Sequence, residues 1–176
     1  MKREPVLLIS KEDIQKRVQE LAREISKDYR DKKPFVICIL KGAWMFMADL
    51  VRELKVPVEC DFLAVSSYGG ETESSGVVKI MADLTRPIEG KDVLIVEDIV
   101  DTGLTLRYLK EILLSRAPKS LKICTLLDKP SRRQVKIKLD YVGFEVPDRF
   151  VVGYGLDCQE HFRNLPYIAY VEPTNR

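Results

Sequence analysis

The chain has 176 residues, of which 45% are hydrophobic, and this length suits one globular domain with a substantial core. Its 29 basic and 27 acidic residues leave a net charge of +2, which gives no long-range case for binding nucleic acid or an anionic membrane. No apolar run approaches the length of about 20 residues that crosses a bilayer, and no signal peptide is recognisable, so we expect a cytoplasmic protein.

The four cysteines are far apart and contain no C-x-x-C pair, and two of them, Cys38 and Cys124, lie inside apolar runs. We therefore expect reduced thiols in the core or partly buried, rather than a zinc site or a disulfide framework.

The first predicted element is an amphipathic helix over residues 10–30. Apolar residues recur at helical spacing, and Ser10 lies three residues before Asp13, which is typical of a helix start. We expect the N-terminal Met-Lys-Arg-Glu-Pro to lead directly into this charged helix.

A buried strand is predicted next, from Phe35 to Leu40, and a second helix from about residue 44 to 54. Between them, Lys41 offers a cation and Gly42 permits close backbone approach, at the carboxyl end of a strand where open α/β sheets bind ligands. An ordinary turn between a strand and a helix explains this pair nearly as well.

Residues 66–76 are rich in glycine and serine and separate predicted strands at 61–66 and 77–82. Such a segment buries too little surface to offset its ordering entropy. Its length favours a functional lid over residues 66–76, and a plain connection between two strands is the alternative.

The most informative stretch begins with Val93 to Val96, four apolar residues that suit a strand buried on both faces of a parallel sheet. Three acids follow within five positions: Glu97, Asp98 and Asp101. The next residues, Thr102, Gly103, Leu104 and Thr105, open a helix. The free amides and positive dipole of a helix start form a cradle for a phosphate. The carboxylates suit sugar hydroxyls or Mg²⁺. A simple acidic turn that caps the helix is the alternative.

The next predicted strand, residues 121–127, ends in Asp128 and Lys129, so that Lys129 could reach a carbonyl oxygen of a ligand. A basic segment follows, comprising Arg132, Arg133, Lys136 and Lys138. It could bind RNA, but no aromatic residues interleave with it, and a solvated edge is the favoured interpretation. Two short strands are predicted at 140–145 and 150–153.

The string Val-Glu-Asp-Ile-Val-Asp-Thr-Gly-Leu-Thr at residues 96–105 resembles the phosphoribosyl pyrophosphate (PRPP) signature of the type I phosphoribosyltransferases. That resemblance implies an α/β fold with a central, mainly parallel twisted sheet flanked by helices. It also implies one domain over residues 1–176, with a core at about 35–130. The N-terminal segment and about 131–176 would form a small hood over the purine site.

Three further segments resemble the hypoxanthine-guanine branch of this family: Leu40-Lys41-Gly42, Ser67-Tyr68 and the stretch from Val142 to Asp157. With the PRPP signature, these four segments span residues 40–165 in the expected order. The first would be a pyrophosphate loop, often with a cis peptide bond between Leu40 and Lys41, and the second would belong to the lid that closes over the reacting centre.

The resemblance implies a role for each matched residue. Glu97 and Asp98 would bind ribose and Mg²⁺, Asp101 would be the general base, and residues 102–105 would hold the phosphate. Lys41, Gly42 and Arg163 would contact pyrophosphate. In the purine pocket, Lys129 would contact the 6-oxo group, Phe150 would stack on the base, Val151 would read its edge through the backbone, and Asp157 would bind a second Mg²⁺.

The implied reaction is Mg²⁺-dependent transfer of 5-phosphoribosyl from PRPP to N9 of hypoxanthine, guanine or possibly xanthine. It would give IMP or GMP and pyrophosphate, in a homodimer or homotetramer without nucleic acid or membrane partners. Two alternatives remain open at this point. A regulator of the same fold could sense PRPP and bind nucleic acid, whereas an orotate or adenine enzyme is disfavoured by the hood sequence.

Overall fold

The computed structural model describes residues 4–67 and 78–171. The helices are α1 (Lys11–Asp28), α2 (Trp44–Glu53) and α3 (Leu104–Ser115). The strands are β1 (Val6–Ile9), β2 (Phe35–Leu40), β3 (Glu59–Ser67), β4 (Val78–Ala82), β5 (Asp92–Val100), β6 (Ser120–Asp128), β7 (Tyr141–Glu145), β8 (Phe150–Val152) and β9 (Ile168–Val171). A short 3-10 turn spans Pro130–Arg132.

The main sheet has six strands in the order β4-β3-β2-β5-β6-β7, and every pairing is parallel except that of β4 with β3. Residues 93–96 of β5 are fully buried, which confirms the predicted strand. Val36 and Leu94 pack with α1 and α2 on one face, whereas Ile37 and Ile95 pack with α3 on the other. The sheet is therefore covered on both sides, as a parallel sheet requires.

The strand order reverses between β2 and β5. The chain leaves β2 towards β3 on one side, whereas β5, β6 and β7 continue on the other side. In an open α/β sheet, the crevice at the carboxyl ends of the strands on either side of such a reversal is the usual ligand site. Lys41 follows β2 at this edge, and Glu97 and Asp98 lie near the carboxyl end of β5.

A second, antiparallel sheet has the order β1-β9-β8. Its presence corrects one prediction: the N-terminus does not lead directly into α1, because Val6 to Ile9 pairs with β9 first. The run Val-Leu-Leu-Ile has no polar alternation, and its pairing partner lies more than 150 residues away, so the local pattern did not reveal a strand. Ser10 does cap α1, accepting a hydrogen bond from the Asp13 amide at 3.1 Å.

All four cysteines are free. Cys38 and Cys124 are buried and the other two are partly buried, in agreement with the predicted positions in or near the core. Burial, reinforced by the charge of Glu97, raises the pKa of Cys38 to about 12. Among the described residues, no helix is both long enough and apolar enough to cross a membrane.

Asp61 is a buried carboxylate that ties β3 to the segment after β4. It accepts hydrogen bonds from the Thr85 amide at 2.8 Å, the Thr85 hydroxyl at 3.0 Å and the Phe62 amide at 2.8 Å. Burial opposes ionisation, but these hydrogen bonds outweigh it and lower the pKa of Asp61. Its stabilising effect is therefore present above the unfolded-state pKa of about 3.9 and is lost as pH falls through the lower folded-state pKa.

We expect Asp61→Asn to lower the free energy of unfolding at pH 7 by about 1–3 kcal/mol, because it removes a charged acceptor from buried donors. In urea unfolding at a series of acid pH values, the free energy of unfolding of Asp61→Asn should fall less steeply below pH of about 4 than that of the wild type. Glu89→Gln, at an exposed position, is the matched control. An unchanged acid dependence in Asp61→Asn would contradict this account.

Candidate active site

The pyrophosphate loop predicted at residues 40–42 lies directly against β5. The peptide bond between Leu40 and Lys41 is cis. A Cβ atom on Gly42 would overlap the Asp98 carboxylate and lie 2.6 Å from its Cγ. Glycine is therefore needed at this position so that the end of β2 can approach the acids of β5.

Glu97 and Asp98 form a desolvated pair of acids with raised pKa values. Glu97 is 8% exposed, and burial together with the neighbouring charge of Asp98 raises the pKa of Glu97. Burial also raises the pKa of Asp98, although the Ile99 amide donates to its Oδ1 at 2.6 Å. Two adjacent desolvated carboxylates, one buried and one partly buried, are costly unless donors or a cation face them. Sugar hydroxyls and Mg²⁺ both meet that need.

A metal held by protein side chains alone is not found here. In residues 4–67 and 78–171, no three His, Cys, Asp or Glu side chains converge as ligands. The adjacent carboxylates of Glu97 and Asp98 still suit a hard cation that takes its remaining oxygen ligands from substrate and water, which is the usual habit of Mg²⁺.

The start of α3 is open to an anion. Gly103 precedes the helix with a φ of 83°, and this N-cap residue makes no side-chain hydrogen bond to the helix. The Leu104 amide donates a long hydrogen bond, of 3.4 Å, to the Thr102 hydroxyl. No carboxylate among the described residues accepts from the first amides of α3, so most of these amides remain available to a phosphate.

Asp101, the predicted general base, lies beside a cation from another element. Arg132 Nε is 2.9 Å from Asp101 Oδ1, and Arg132 Nη1 is 3.5 Å from Asp148 Oδ1. The contact between Arg132 and Asp101 is ionic and lacks hydrogen-bond geometry. The buried Oδ1 of Asp101 therefore accepts no hydrogen bond from the described residues. The sequence analysis missed this contact because it assigned Arg132 to a solvated basic edge. Its position three residues after Lys129 was the one available signal.

Lys129 is 6% exposed at the end of β6. Burial lowers its pKa, although the charges of Asp101 and Asp148 oppose that shift. Its ammonium makes no hydrogen bond to another described residue. A buried ammonium with unused donors is suited to an oxygen of a ligand.

Gly155, in the predicted hood, packs against Gly42, in the predicted pyrophosphate loop. Its φ is 103°, and a Cβ at this position would overlap the Gly42 carbonyl. Arg163 Nη1 donates to the Gly155 carbonyl at 2.8 Å, and its Nη2 lies 2.9 Å from Asp157 Oδ1. Arg163 Nε is a buried donor without a partner among the described residues. Lys41 also reaches this segment, where its Nζ is 3.1 Å from Glu160.

Two predicted purine contacts lie on β8. Phe150 is 52% exposed, so its ring is free to stack on a base, whereas the side chain of Val151 is buried. Because β8 is at the edge of its sheet, one side of its backbone has no strand partner in the described structure. Of the predicted lid, residues 68–76, including Tyr68, lie outside the described residues, and so does the side chain of Ser67.

This chain is similar in sequence and fold to known phosphoribosyltransferases. The family model of the phosphoribosyl transferase domain matches residues 10–159. The hypoxanthine-guanine phosphoribosyltransferase of Bacillus subtilis (strain 168) is 58% identical over 168 residues, covering 96% of this chain and 93% of the relative. A solved hypoxanthine phosphoribosyltransferase from Staphylococcus aureus has a TM-score of 0.91 at 51% identity, covering 95% of this chain and 91% of that one. A hypoxanthine phosphoribosyl transferase from Trypanosoma cruzi has a TM-score of 0.91 at 43% identity, covering 98% of this chain and 94% of that one. That protein was studied for the role of its C-terminal region in oligomeric state and enzymatic activity.

Proposed function

Since this chain belongs to the phosphoribosyltransferase family, in its hypoxanthine-guanine branch, we propose how its residues divide the work of that branch's reaction. The reaction is purine salvage by transfer of the phosphoribosyl group of PRPP to a 6-oxopurine. The bond from C1′ to the pyrophosphate oxygen breaks, and a bond from C1′ to N9 forms with inversion. The observation that carries the assignment is the backbone hydrogen bond from the Lys129 amide to the Val100 carbonyl, at 3.0 Å, which places Lys129 next to Asp101 at the end of β5.

The open start of α3 supports a role for residues 102–105 in holding the 5-phosphate of PRPP. Gly103 provides no side-chain cap, only the Leu104 amide makes a long hydrogen bond to the Thr102 hydroxyl, and the helix dipole is favourable to negative charge there. Glu97 and Asp98 would accept hydrogen bonds from the ribose hydroxyls. Both acids are desolvated and adjacent, which favours their use as ligand groups rather than as surface charges.

At the pyrophosphate end, Lys41, the backbone at Gly42 and Arg163 would bind the leaving group. The unpartnered Nε of Arg163 supports this role, because a buried donor is costly without an acceptor. When bound to Glu97 and Asp98, and at a second position to Asp157, Mg²⁺ would neutralise the charge of the leaving group.

At the purine end, Lys129 would donate to the 6-oxo group, Phe150 would stack on the base and the Val151 backbone would meet its edge. Asp101 would exchange a proton with N7 as N9 attacks C1′. Positive charge on the ribose and negative charge on pyrophosphate develop together, so the proposed acids and cations would stabilise both charges.

We further propose that residues 35–130 act as the core, that the N-terminal segment and about residues 131–176 act as the hood, and that residues 66–76 act as a lid. Association into a dimer or tetramer is supported by exposed apolar side chains. Phe46 and Met47 are buried, but Trp44 is 48% exposed.

The basic segment after β6 gives little support to a nucleic-acid partner. Three of its four cations are paired within the chain: Arg132 with Asp101, Arg133 with Asp128, and Lys138 with Asp140 at 3.0 Å. Cations engaged in this way are poorly placed to contact a phosphate backbone.

The proposed function is tested by mixing the purified protein with PRPP, Mg²⁺ and one base at a time. We expect nucleotide from hypoxanthine and guanine, but turnover of adenine lower by at least about 10²-fold, because its 6-amino group would oppose the donors of buried Lys129. Xanthine should be included in the panel. Addition of EDTA tests the metal requirement. Comparable turnover of adenine would refute the pocket assignment.

A further inference from the structure

Arg132 makes two ionic contacts that join three elements of the site. Its Nε lies 2.9 Å from Asp101, in the segment between β5 and α3, and its Nη1 lies 3.5 Å from Asp148, in the connection from β7 to β8. Arg132 itself ends the 3-10 turn that begins directly after Lys129. The guanidinium of Arg132 therefore links the proposed general base, the turn that follows Lys129 and the loop that leads to Phe150.

The geometry at Asp101 leaves its carboxylate asymmetric. Oδ1 is buried, faces Arg132 and accepts no hydrogen bond from the described residues. A carboxylate fixed through one oxygen presents the other oxygen in a defined direction. The planar guanidinium is suited to this task because its nitrogens can face two carboxylates at once, which a lysine ammonium does less well.

We propose that Arg132 is a positioning residue that orients Asp101 for proton transfer and, through Asp148, couples this orientation to the loop that leads to Phe150. The proposal rests on the proposed function, because it gives Asp101 the role of general base. Its effect is expected in turnover rather than in stability. Arg132 is 45% exposed and Asp101 is 41% exposed, and ion pairs at such exposure contribute little to folding.

The test compares single-turnover rates of the wild type, Arg132→Gln, Arg132→Lys and the control Lys136→Gln. Lys136 lies exposed in the same basic segment, so its substitution removes the same charge without touching the site. We expect Arg132→Gln to lower the rate about 10- to 100-fold, as misplaced catalytic groups do, with KM for PRPP and the urea midpoint of unfolding unchanged. Arg132→Lys should recover part of the loss, and Lys136→Gln should match the wild type.

A double-mutant cycle with Asp101→Asn separates positioning from other roles. If Arg132 acts through Asp101, Arg132→Gln should have little further effect in the Asp101→Asn background. Full additivity of the two losses, or a wild-type rate in Arg132→Gln, would overturn the proposal. So would a loss matched by a fall in the unfolding midpoint. Failure of the proposed function is distinguishable, because the wild type would then form no nucleotide from any base.

Discussion

Replacing Asp101 with asparagine is expected to lower turnover by about 10²- to 10⁴-fold, the usual contribution of a general base. Asparagine keeps the size of the side chain but cannot take up a proton from the purine. Binding of PRPP should be spared, because the proposed phosphate and ribose contacts belong to residues 102–105 and to Glu97 and Asp98. The loss should therefore appear in kcat, with little change in KM for PRPP.

Single-turnover kinetics with hypoxanthine and a separate measurement of PRPP affinity would check this result. Asp83→Asn is the matched control, since Asp83 is also an acid paired with an arginine, at 2.7 Å from Arg116, but it lies outside the site. That variant should turn over like the wild type. A normal rate in Asp101→Asn would remove Asp101 from its catalytic role, and a lost affinity for PRPP would assign it to ground-state binding instead.

The parts of the fold and site that the sequence predicted are those set by local pattern. Phe35 to Leu40 forms a strand with the predicted bounds, because a short apolar run between Pro34 and Lys41-Gly42 has few other solutions. Residues 97–105 were recognisable for the same reason, since the acids, Gly103 and the helix start are contiguous. The confirmed α/β architecture follows from alternating strands and helices.

The parts that were not predicted depend on contacts between distant residues. The pairing of Val6 with Tyr170 joins the two ends of the chain. The contact of Arg132 with Asp101 requires β6 to lie beside β5, which no local pattern states. In both cases the sheet topology, rather than propensity, decides which side chains meet.

Gly155→Ala is expected to have the second large effect, lowering both the free energy of unfolding and kcat/KM for PRPP. An added methyl group would overlap the Gly42 carbonyl, and a φ of 103° lies outside the left-handed region open to alanine. The backbone at residue 155 or at residue 42 must therefore move. We expect the free energy of unfolding to fall by about 3 kcal/mol, at the upper end for single substitutions. Because Arg163 is bound to the Gly155 carbonyl and Lys41 precedes Gly42, kcat/KM for PRPP should fall by at least about 10²-fold.

Gly90→Ala supplies a control that isolates the close contact from the backbone conformation. Gly90 also has a positive φ, of 68°, but nothing lies within 4 Å of its added Cβ. Its substitution should cost about 1 kcal/mol of stability through φ alone and leave kcat/KM at the wild-type value. Urea unfolding and initial rates at varied PRPP, measured on both variants, separate the two causes. If both variants lost equal stability and kept equal activity, the approach of Gly155 to Gly42 would have no role in holding the hood against the pyrophosphate loop. A selective loss in Gly155→Ala would show that this backbone contact sets the geometry in which Lys41 and Arg163 face the leaving group.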